Sequence, residues 1–177
     1  MISDFVKGKK QFDYTENIQK GIRLHRAIDT FTDQHPVTKK AKEYFKPAVG
    51  SYGGAFMDIV YDHFLALDTN EFSDPSLQDF AREVYAQLEA NQAFLAERFA
   101  QMLPYMSSQN WLYNYRFKEG MEKSFGGLVR RAKYLTTSAP AYDTFLENYT
   151  ALSNHYHDFF PDVKKYALSQ FTLLLQD

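Results

Sequence analysis

Apolar residues recur at three- and four-residue steps along most of this 177-residue chain, and this spacing is that of one face of an α-helix. The first such segment begins at Asn17 and closes near Pro36, because the residue before a proline is disfavoured in a helix. Its apolar residues are Ile18, Ile22, Ile28 and Phe31. No segment shows the strict alternation of a half-buried strand, and no interdomain linker is visible. The sequence therefore predicts an all-α fold, a single-domain helical bundle over residues 1–177.

Prolines and glycines divide the rest of the pattern into further predicted helices. These run from Val37 to about Phe45, from about Phe56 to Leu67, from about Asp74 to Met102, from about Gln109 to Phe117, from about Glu119 to Tyr134, and from about Ala141 onward. We expect Pro47 and Pro104 to end the second and fourth helices, and Pro161 to break or kink the last, because proline lacks the N–H that a helix interior requires.

The chain contains no cysteine, which excludes a disulfide framework, a thiolate zinc site, an iron–sulfur cluster and a cysteine nucleophile. Any bound metal must therefore be held by imidazole and carboxylate groups. Hydrophobic residues make up 45% of the chain and aromatic residues 17%, which is more than a disordered chain carries. The 20 basic and 22 acidic residues nearly balance, so we do not expect a general nucleic-acid-binding protein.

Residues 1–17 are polar and charged and lack the apolar core of a signal peptide. The most apolar window, residues 171–175, is far shorter than the roughly 18 residues of a membrane span. We therefore expect a cytoplasmic protein that does not enter a membrane.

Three polar residues, His25, Asp29 and Asp33, follow one another at four-residue steps on the first predicted helix. This spacing places them along one face, so that His25 and Asp29 can contact each other or share a metal ion. In the structural alternative, these two residues form a surface pair with Arg26, and Asp33 caps or solvates the helix end. Both interpretations are compatible with the spacing.

Asp58, Asp62 and His63 are polar residues within the otherwise apolar third helix. Such a helix is expected to be buried, and an unpaired carboxylate in an apolar environment is costly. The two carboxylates therefore require a cation, which is a lysine or arginine in the structural alternative and a divalent metal in the functional one. Basic residues close by in the sequence are lacking, which favours the metal.

Five stretches carry a resemblance to a known family: SDFVKG (3–8), GIRLHRAIDTFTDQHP (21–36), MDIVYDHFL (57–65), NWLYNYR (110–116) and VRRAKY (129–134). In this order, and over nearly the whole chain, they resemble the acyl carrier protein phosphodiesterases, or holo-acyl-carrier-protein hydrolases. The resemblance implies a helical fold like that of the HD phosphohydrolases. It also implies an enzyme that hydrolyses the phosphodiester joining 4′-phosphopantetheine to a serine of acyl carrier protein, with a divalent cation as cofactor.

The resemblance implies a metal site on four of these residues. His25 and Asp62 would be ligands of the cation, with Asp4 and Asp29 as further carboxylates. The cation would typically be Mn²⁺, with Mg²⁺ or another divalent ion as the alternative, and imidazole and carboxylate groups suit such ions.

Two further residues acquire catalytic roles through the resemblance. His63 would orient the attacking water or protonate the leaving serine oxygen. Arg26 would bind phosphate oxygens, because a guanidinium can do so with two parallel hydrogen bonds. An exposed salt bridge is the structural alternative for Arg26.

The family pattern includes a further segment before the SDFVKG motif. The resemblance therefore predicts that the domain lacks an N-terminal helix. Apolar surface exposed in this way would favour a homo-oligomer.

Acyl carrier proteins are small and acidic, so the resemblance implies a basic surface for the partner. The charges of the chain are unevenly distributed, with +4 over residues 112–135 and −5 over residues 68–102. Arg116, Arg130 and Arg131 are the candidate contacts for the carrier protein, and a basic surface that is only solvated is the alternative.

Two other functions are compatible with the sequence. The first is a helical metal-dependent phosphohydrolase that acts on another phosphoester, such as a nucleotide. The second is a catalytically inactive module that binds a carrier protein through its basic surface.

Overall fold

The structure, a computed structural model, describes residues 3–176 apart from the side chain of Asp4. It confirms the all-α fold class, since these residues form nine α-helices, four short 3₁₀ helices and no strand. The α-helices are α1 (Glu16–Gln34), α2 (Pro36–Val49), α3 (Gly53–Leu67), α4 (Asp74–Ala90), α5 (Glu97–Ser108), α6 (Trp111–Asn114), α7 (Lys118–Val129), α8 (Ala139–Glu147) and α9 (Tyr149–Gln176). The 3₁₀ helices are Ser3–Phe5, Gly8–Asp13, Gly50–Tyr52 and Gln92–Phe94. None of the described helices is both long and apolar enough to cross a membrane.

Helix α1 confirms the first predicted segment. The expectation that Pro47 and Pro104 end helices is wrong, since they lie inside α2 and α5. Pro161 does not break the last helix, because it lies inside α9, and a kink at this position stays a prediction. All three prolines are exposed, so water can hydrogen-bond the carbonyl groups that lose their helical partners. Helix α2 ends instead at Gly50, whose φ of 57° is a conformation that glycine adopts without steric cost.

Two of the predicted helices are each divided at an asparagine. Residues 74–102, predicted as one helix, form α4 and α5, and α4 ends before Asn91. The last predicted helix likewise forms α8 and α9, which meet at Asn148. Each asparagine Nδ2 donates to the carbonyl four residues earlier, at 2.8 Å to Gln87 and 2.9 Å to Thr144. These side-chain bonds to the last helical turn favour an end at the asparagine.

Two further predicted helices are present but shorter than expected. The helix predicted near residues 109–117 is the single turn α6, and the one predicted for residues 119–134 is α7, which ends at Val129. Residues 130–138 are therefore not helical. They are named the basic loop here, because they carry two arginines and one lysine and no acidic residue.

Two apolar clusters form the core of the described chain. The larger one joins α2, α3, α7, α8 and α9, and Phe56 meets Phe125 there with ring centres 4.8 Å apart in an edge-on arrangement. The smaller one joins α4, α5 and α6 around Tyr85, Phe99 and Leu103. A cavity lies between the two clusters, with Phe99 on one side and residues of α3 and α9 on the other.

Gly120 on α7 approaches the backbone of α6 closely. A Cβ atom at this position would overlap the carbonyl oxygen of Asn114, so the approach requires glycine. Tyr115 and Arg116 form the turn between these two helices. The contact therefore fixes the position of this turn.

We expect Gly120→Ala to lower the free energy of unfolding by about 2 kcal/mol, as overpacking of a close contact does, because α6 and α7 must move apart. Gly21→Ala on α1 is the matched control, since an added Cβ meets no atom there, and it should raise the free energy of unfolding by about 0.5–1 kcal/mol. Urea unfolding of both variants measures the difference. Equal effects of the two substitutions would contradict the close contact.

Candidate functional site

The cavity between the two clusters has a volume of about 840 Å³ and is open to solvent. Side chains from α1, α3, α5, α6 and α9 line it, together with residues next to these helices. Its polar lining includes His25, Asp29, Asp58, Asp62, Tyr115 and Arg131. The size and the mixture of apolar walls with a few polar groups are typical of a small-molecule site.

His25 and Asp29 contact each other on α1, as their spacing predicted. The His25 Nδ1 atom lies 2.9 Å from Asp29 Oδ2, and both side chains line the cavity. Asp33, one turn further along, points elsewhere and forms an ion pair with Lys42 at 2.5 Å. The structure therefore brings two of the three residues of this series to the cavity.

Asp58 and Asp62 lie one turn apart on α3 and face the cavity. Solvent reaches the Asp62 side chain through the cavity, while the protein surrounds the carboxylate on its other sides. This burial, with the negative charge of Asp58 as a further cause, raises the pKa of Asp62 from 3.8 to about 7. The carboxylate pair thus makes one wall of the site acidic and able to take up a proton near neutral pH.

His63 lies about 100° around α3 from Asp62 and is only 1% exposed. Its Nδ1 atom is 2.6 Å from the carbonyl oxygen of Tyr115, and its Nε2 atom is 2.8 Å from the hydroxyl of Tyr149. Because a carbonyl only accepts, Nδ1 carries the proton, and Nε2 accepts from the Tyr149 hydroxyl. Burial lowers the pKa of His63, which favours this neutral form.

The predicted catalytic residues His63 and Arg26 are not among the described residues that line the cavity. His63 is in the core, where both ring nitrogens have protein partners. The Arg26 guanidinium donates to Gln11 Oε1 and to the Val6 carbonyl, both at 2.7 Å. Arg26 therefore connects the N-terminal segment to α1, and its predicted contact with a phosphate stays a prediction.

The three candidate partner-binding arginines lie in different environments. Arg116 forms an ion pair with Asp74 and lies against the ring of Tyr113, at 5.2 Å from its centre. Arg130 and Arg131 begin the basic loop and are exposed, and Arg131 also lines the cavity. The structure therefore brings a cationic side chain of the basic loop to the site itself.

Tyr115 is a cavity residue that the sequence analysis did not single out. It lies in the NWLYNYR stretch, where aromatic residues at close spacing are usually part of the core. Its place in the cavity depends on the turn between α6 and α7, which no local sequence pattern specifies. Trp111, the single tryptophan of the chain, also lines the cavity.

The lining supplies the donor types of a divalent-metal site. His25, Asp29 and Asp62 provide imidazole nitrogen and carboxylate oxygen, which suit Mn²⁺ or Mg²⁺. Among the side chains that the structure describes, no three histidine, aspartate or glutamate residues are gathered closely enough to hold a metal. Asp4, a further ligand in the sequence analysis, has its side chain outside the described part.

Comparison with known proteins gives a consistent result. The family model for acyl carrier protein phosphodiesterase matches residues 1–163. A relative from Klebsiella pneumoniae with this name is 29% identical over 168 residues, which cover 94% of this chain and 87% of the relative. Relatives of the same name from Enterobacter sp. and Photorhabdus laumondii are 28% and 26% identical, respectively. Each match covers 91% of this chain, and the matches cover 84% and 82% of the two relatives. No solved structure matches, so the likeness to HD phosphohydrolases stays a prediction.

The raised pKa of Asp62 predicts how stability depends on pH in metal-free protein. Between about pH 4 and pH 7 the folded state holds a proton that the unfolded state has released, so the wild type loses stability as pH rises through this window. The asparagine of Asp62→Asn does not titrate, so this variant does not lose that stability. The free energy of unfolding of Asp62→Asn minus that of the wild type should therefore grow from about pH 4 to pH 7. Urea unfolding in the presence of a chelator measures this. A difference that does not change with pH would contradict the assignment.

Proposed function

The chain belongs to the acyl carrier protein phosphodiesterase family, and on this premise we propose that it hydrolyses the phosphodiester that joins 4′-phosphopantetheine to a serine of acyl carrier protein. The products are the apo carrier protein and free 4′-phosphopantetheine. The observation that carries the proposal is the convergence of His25, Asp29 and Asp62, from two helices, on one cavity. The same cavity also contains the cationic side chain of Arg131.

The cofactor that we propose is a divalent cation, Mn²⁺ or alternatively Mg²⁺. His25 and Asp62 would hold it, with Asp29 and Asp4 as further carboxylates. The donor chemistry of the cavity supports this set, since it offers imidazole and carboxylate and the chain has no thiolate. When bound, the cation supplies positive charge to the phosphoryl group and lowers the pKa of a water molecule.

The remaining groups of the cavity have complementary tasks. Asp58 is a second carboxylate on the α3 wall and provides an acceptor for the proton of the attacking water. The apolar side chains of Trp111, Met106 and Phe160 give the pantetheine arm a surface away from bulk water. The volume of about 840 Å³ is in the range of pockets that enclose a ligand of this size.

The basic loop provides the docking surface for the carrier protein in this proposal. Arg130 and Arg131 are exposed at its start, and Arg131 reaches the cavity. A carrier protein with an acidic surface would thus be attracted to the place where its phosphodiester is cleaved. Arg116 is less suited to this task, because it is engaged with Asp74 and Tyr113.

One observation favours a second candidate function. The described side chains do not gather three metal ligands, so a module that binds the carrier protein without cleaving it is the alternative. Such a module would bind holo carrier protein equally well with and without the cation. The two functions are separated by measuring cleavage and binding on the same preparation.

We expect purified protein with Mn²⁺ to convert holo to apo acyl carrier protein, detected by mass spectrometry as loss of phosphopantetheine. His25→Ala and Asp62→Asn should each lower the rate at least 100-fold, since loss of a group that holds the cation removes several kcal/mol of transition-state stabilisation. His155→Ala is the matched control, because His155 on α9 contacts the Tyr44 ring outside the cavity, and it should retain activity.

Two results would contradict the proposal. One is the absence of conversion by wild-type protein at any concentration of Mn²⁺ or Mg²⁺. The other is conversion that persists in the His25→Ala, Asp62→Asn double variant. In the second case, the cleavage would not depend on this cavity.

For the docking surface, we expect Arg130→Glu to raise KM for holo carrier protein about fivefold at low salt, because one ion pair at the rim of an interface contributes about 1 kcal/mol. The effect should shrink in high salt, which screens exposed charges. Arg82→Glu, which removes an exposed arginine of α4, is the control and should leave KM near the wild-type value. A similar rise in KM for both variants would assign the effect to net charge rather than to the basic loop.

A further inference from the structure

Tyr115 occupies the cavity between groups of opposite charge. Its side chain lines the cavity together with Asp62 and Arg131. The charge of Asp62 raises the pKa of the phenol and the charge of Arg131 lowers it, in addition to a larger upward effect of burial. Tyr115 therefore shares the cavity with a carboxylate and a guanidinium that both act electrostatically on its phenol.

The Tyr115 hydroxyl has a proton available for a ligand. The net effect of its surroundings is a pKa above that of an ordinary tyrosine, so the group stays protonated at neutral pH. A hydrogen bond with the Ser124 side chain is a smaller effect in the opposite direction. A protonated phenol can donate a hydrogen bond to an anion in the cavity.

Arg131 is the cation of the cavity that is available to bind an anion. Lys164 also lines the cavity, but its Nζ atom contacts both carboxylate oxygens of Glu71, at 2.6 and 2.7 Å. Among the residues that the structure describes, Arg131 forms no ion pair. A guanidinium without a carboxylate partner at the edge of a cavity is suited to a phosphate group.

His63 fixes the backbone of Tyr115 from the core. Its Nδ1–H donates to the Tyr115 carbonyl at 2.6 Å, and its Nε2 atom is held by the Tyr149 hydroxyl at 2.8 Å. The close contact of Gly120 with α6 restrains the same turn from the other side. The turn that carries Tyr115 is thus held in a defined position relative to α3.

From these contacts we propose that Tyr115 and Arg131 bind the phosphoryl oxygens of the substrate, and that His63 is a positioning residue that holds Tyr115 in place. The inference rests on the proposed function for the identity of the ligand. It transfers the phosphate-binding role from Arg26, which is bonded to Gln11 and Val6, to Arg131. It also changes the role of His63, which would position Tyr115 instead of orienting the attacking water or protonating the leaving serine oxygen.

The test measures binding of free 4′-phosphopantetheine, without turnover, through the fluorescence of Trp111, the single tryptophan, which lines the cavity. Tyr115→Phe should raise Kd about tenfold, because it removes a hydrogen bond to a charged group. Arg131→Gln should raise Kd at least tenfold for the same reason. Tyr113→Phe is the matched control, since the Tyr113 hydroxyl donates to Asp74, and it should leave Kd unchanged.

Two polar substitutions separate positioning by His63 from a merely structural role. In His63→Asn, the amide nitrogen takes the place of Nδ1 and donates to the Tyr115 carbonyl. In His63→Gln, the amide oxygen takes the place of Nε2 and accepts from the Tyr149 hydroxyl, and the bond to Tyr115 is lost. Both should lower the Tm, because each leaves one former partner of His63 unpaired. Only His63→Gln should raise the Kd for 4′-phosphopantetheine. The double variant His63→Gln, Tyr115→Phe should have the same Kd as Tyr115→Phe alone, because both substitutions act on the same contact.

The outcomes are distinct from those of the activity assay. If the wild type binds 4′-phosphopantetheine with the expected losses in the variants but cleaves no carrier protein, the inference stands and the proposed function fails. If the wild type cleaves carrier protein but Tyr115→Phe and Arg131→Gln bind 4′-phosphopantetheine as tightly as it does, the inference is overturned. Absence of binding by the wild type, or equal Kd values for the two His63 variants, overturns it as well.

Discussion

Helix α3 buries nine of its fifteen residues, and its carboxylates Asp58 and Asp62 are exposed and line the cavity. Packing of α2, α7 and α9 around α3 removes its apolar residues from water. The carboxylates are not buried with these apolar residues, because a buried and unpaired charge is unfavourable. The position of the acidic wall is therefore a consequence of how α3 is packed, and the other elements of the site are arranged around it.

Two faces of α3 have different roles. One face carries the carboxylates, and a second face, about 100° around the helix from Asp62, carries His63. The two hydrogen bonds of His63 attach the turn after α6 and the start of α9 to the core. Leaving one partner of such a buried group unpaired costs about 1–3 kcal/mol, so these contacts are specific. A neutral histidine satisfies both bonds without burying a charge. In this way the core that stabilises the fold also determines where Tyr115 enters the cavity.

Much of the fold could be predicted from sequence, because helical spacing of apolar residues is a local property. Helix α1 and the contact between His25 and Asp29 follow directly from it. The effect of Pro47 was misjudged because its cost depends on whether water reaches the helix at that point, which is a property of the folded chain. The end of α4 at Asn91 depends on a side-chain bond that competes weakly with the next helical turn.

The site could be predicted only in part, since its residues come from elements far apart in sequence. The acidic residues of α1 and α3 stand out because charge is unusual in an apolar pattern. The role of His63 could not be read in this way, since its partner Tyr115 is 52 positions away and contributes a backbone carbonyl rather than a side chain. Arg26 and Arg131 look alike in sequence, and only the tertiary structure shows that Arg26 is bonded to Gln11 while Arg131 lines the cavity.

The central claim is that one cavity holds both the cation and the phosphoryl group. Crystals grown with Mn²⁺ and 4′-phosphopantetheine would test it most directly, because anomalous scattering locates manganese independently of the refined coordinates. The account predicts a manganese peak beside His25 and Asp62, with the phosphate group next to Tyr115 and Arg131. A manganese peak elsewhere on the protein, or 4′-phosphopantetheine bound outside this cavity, would contradict it.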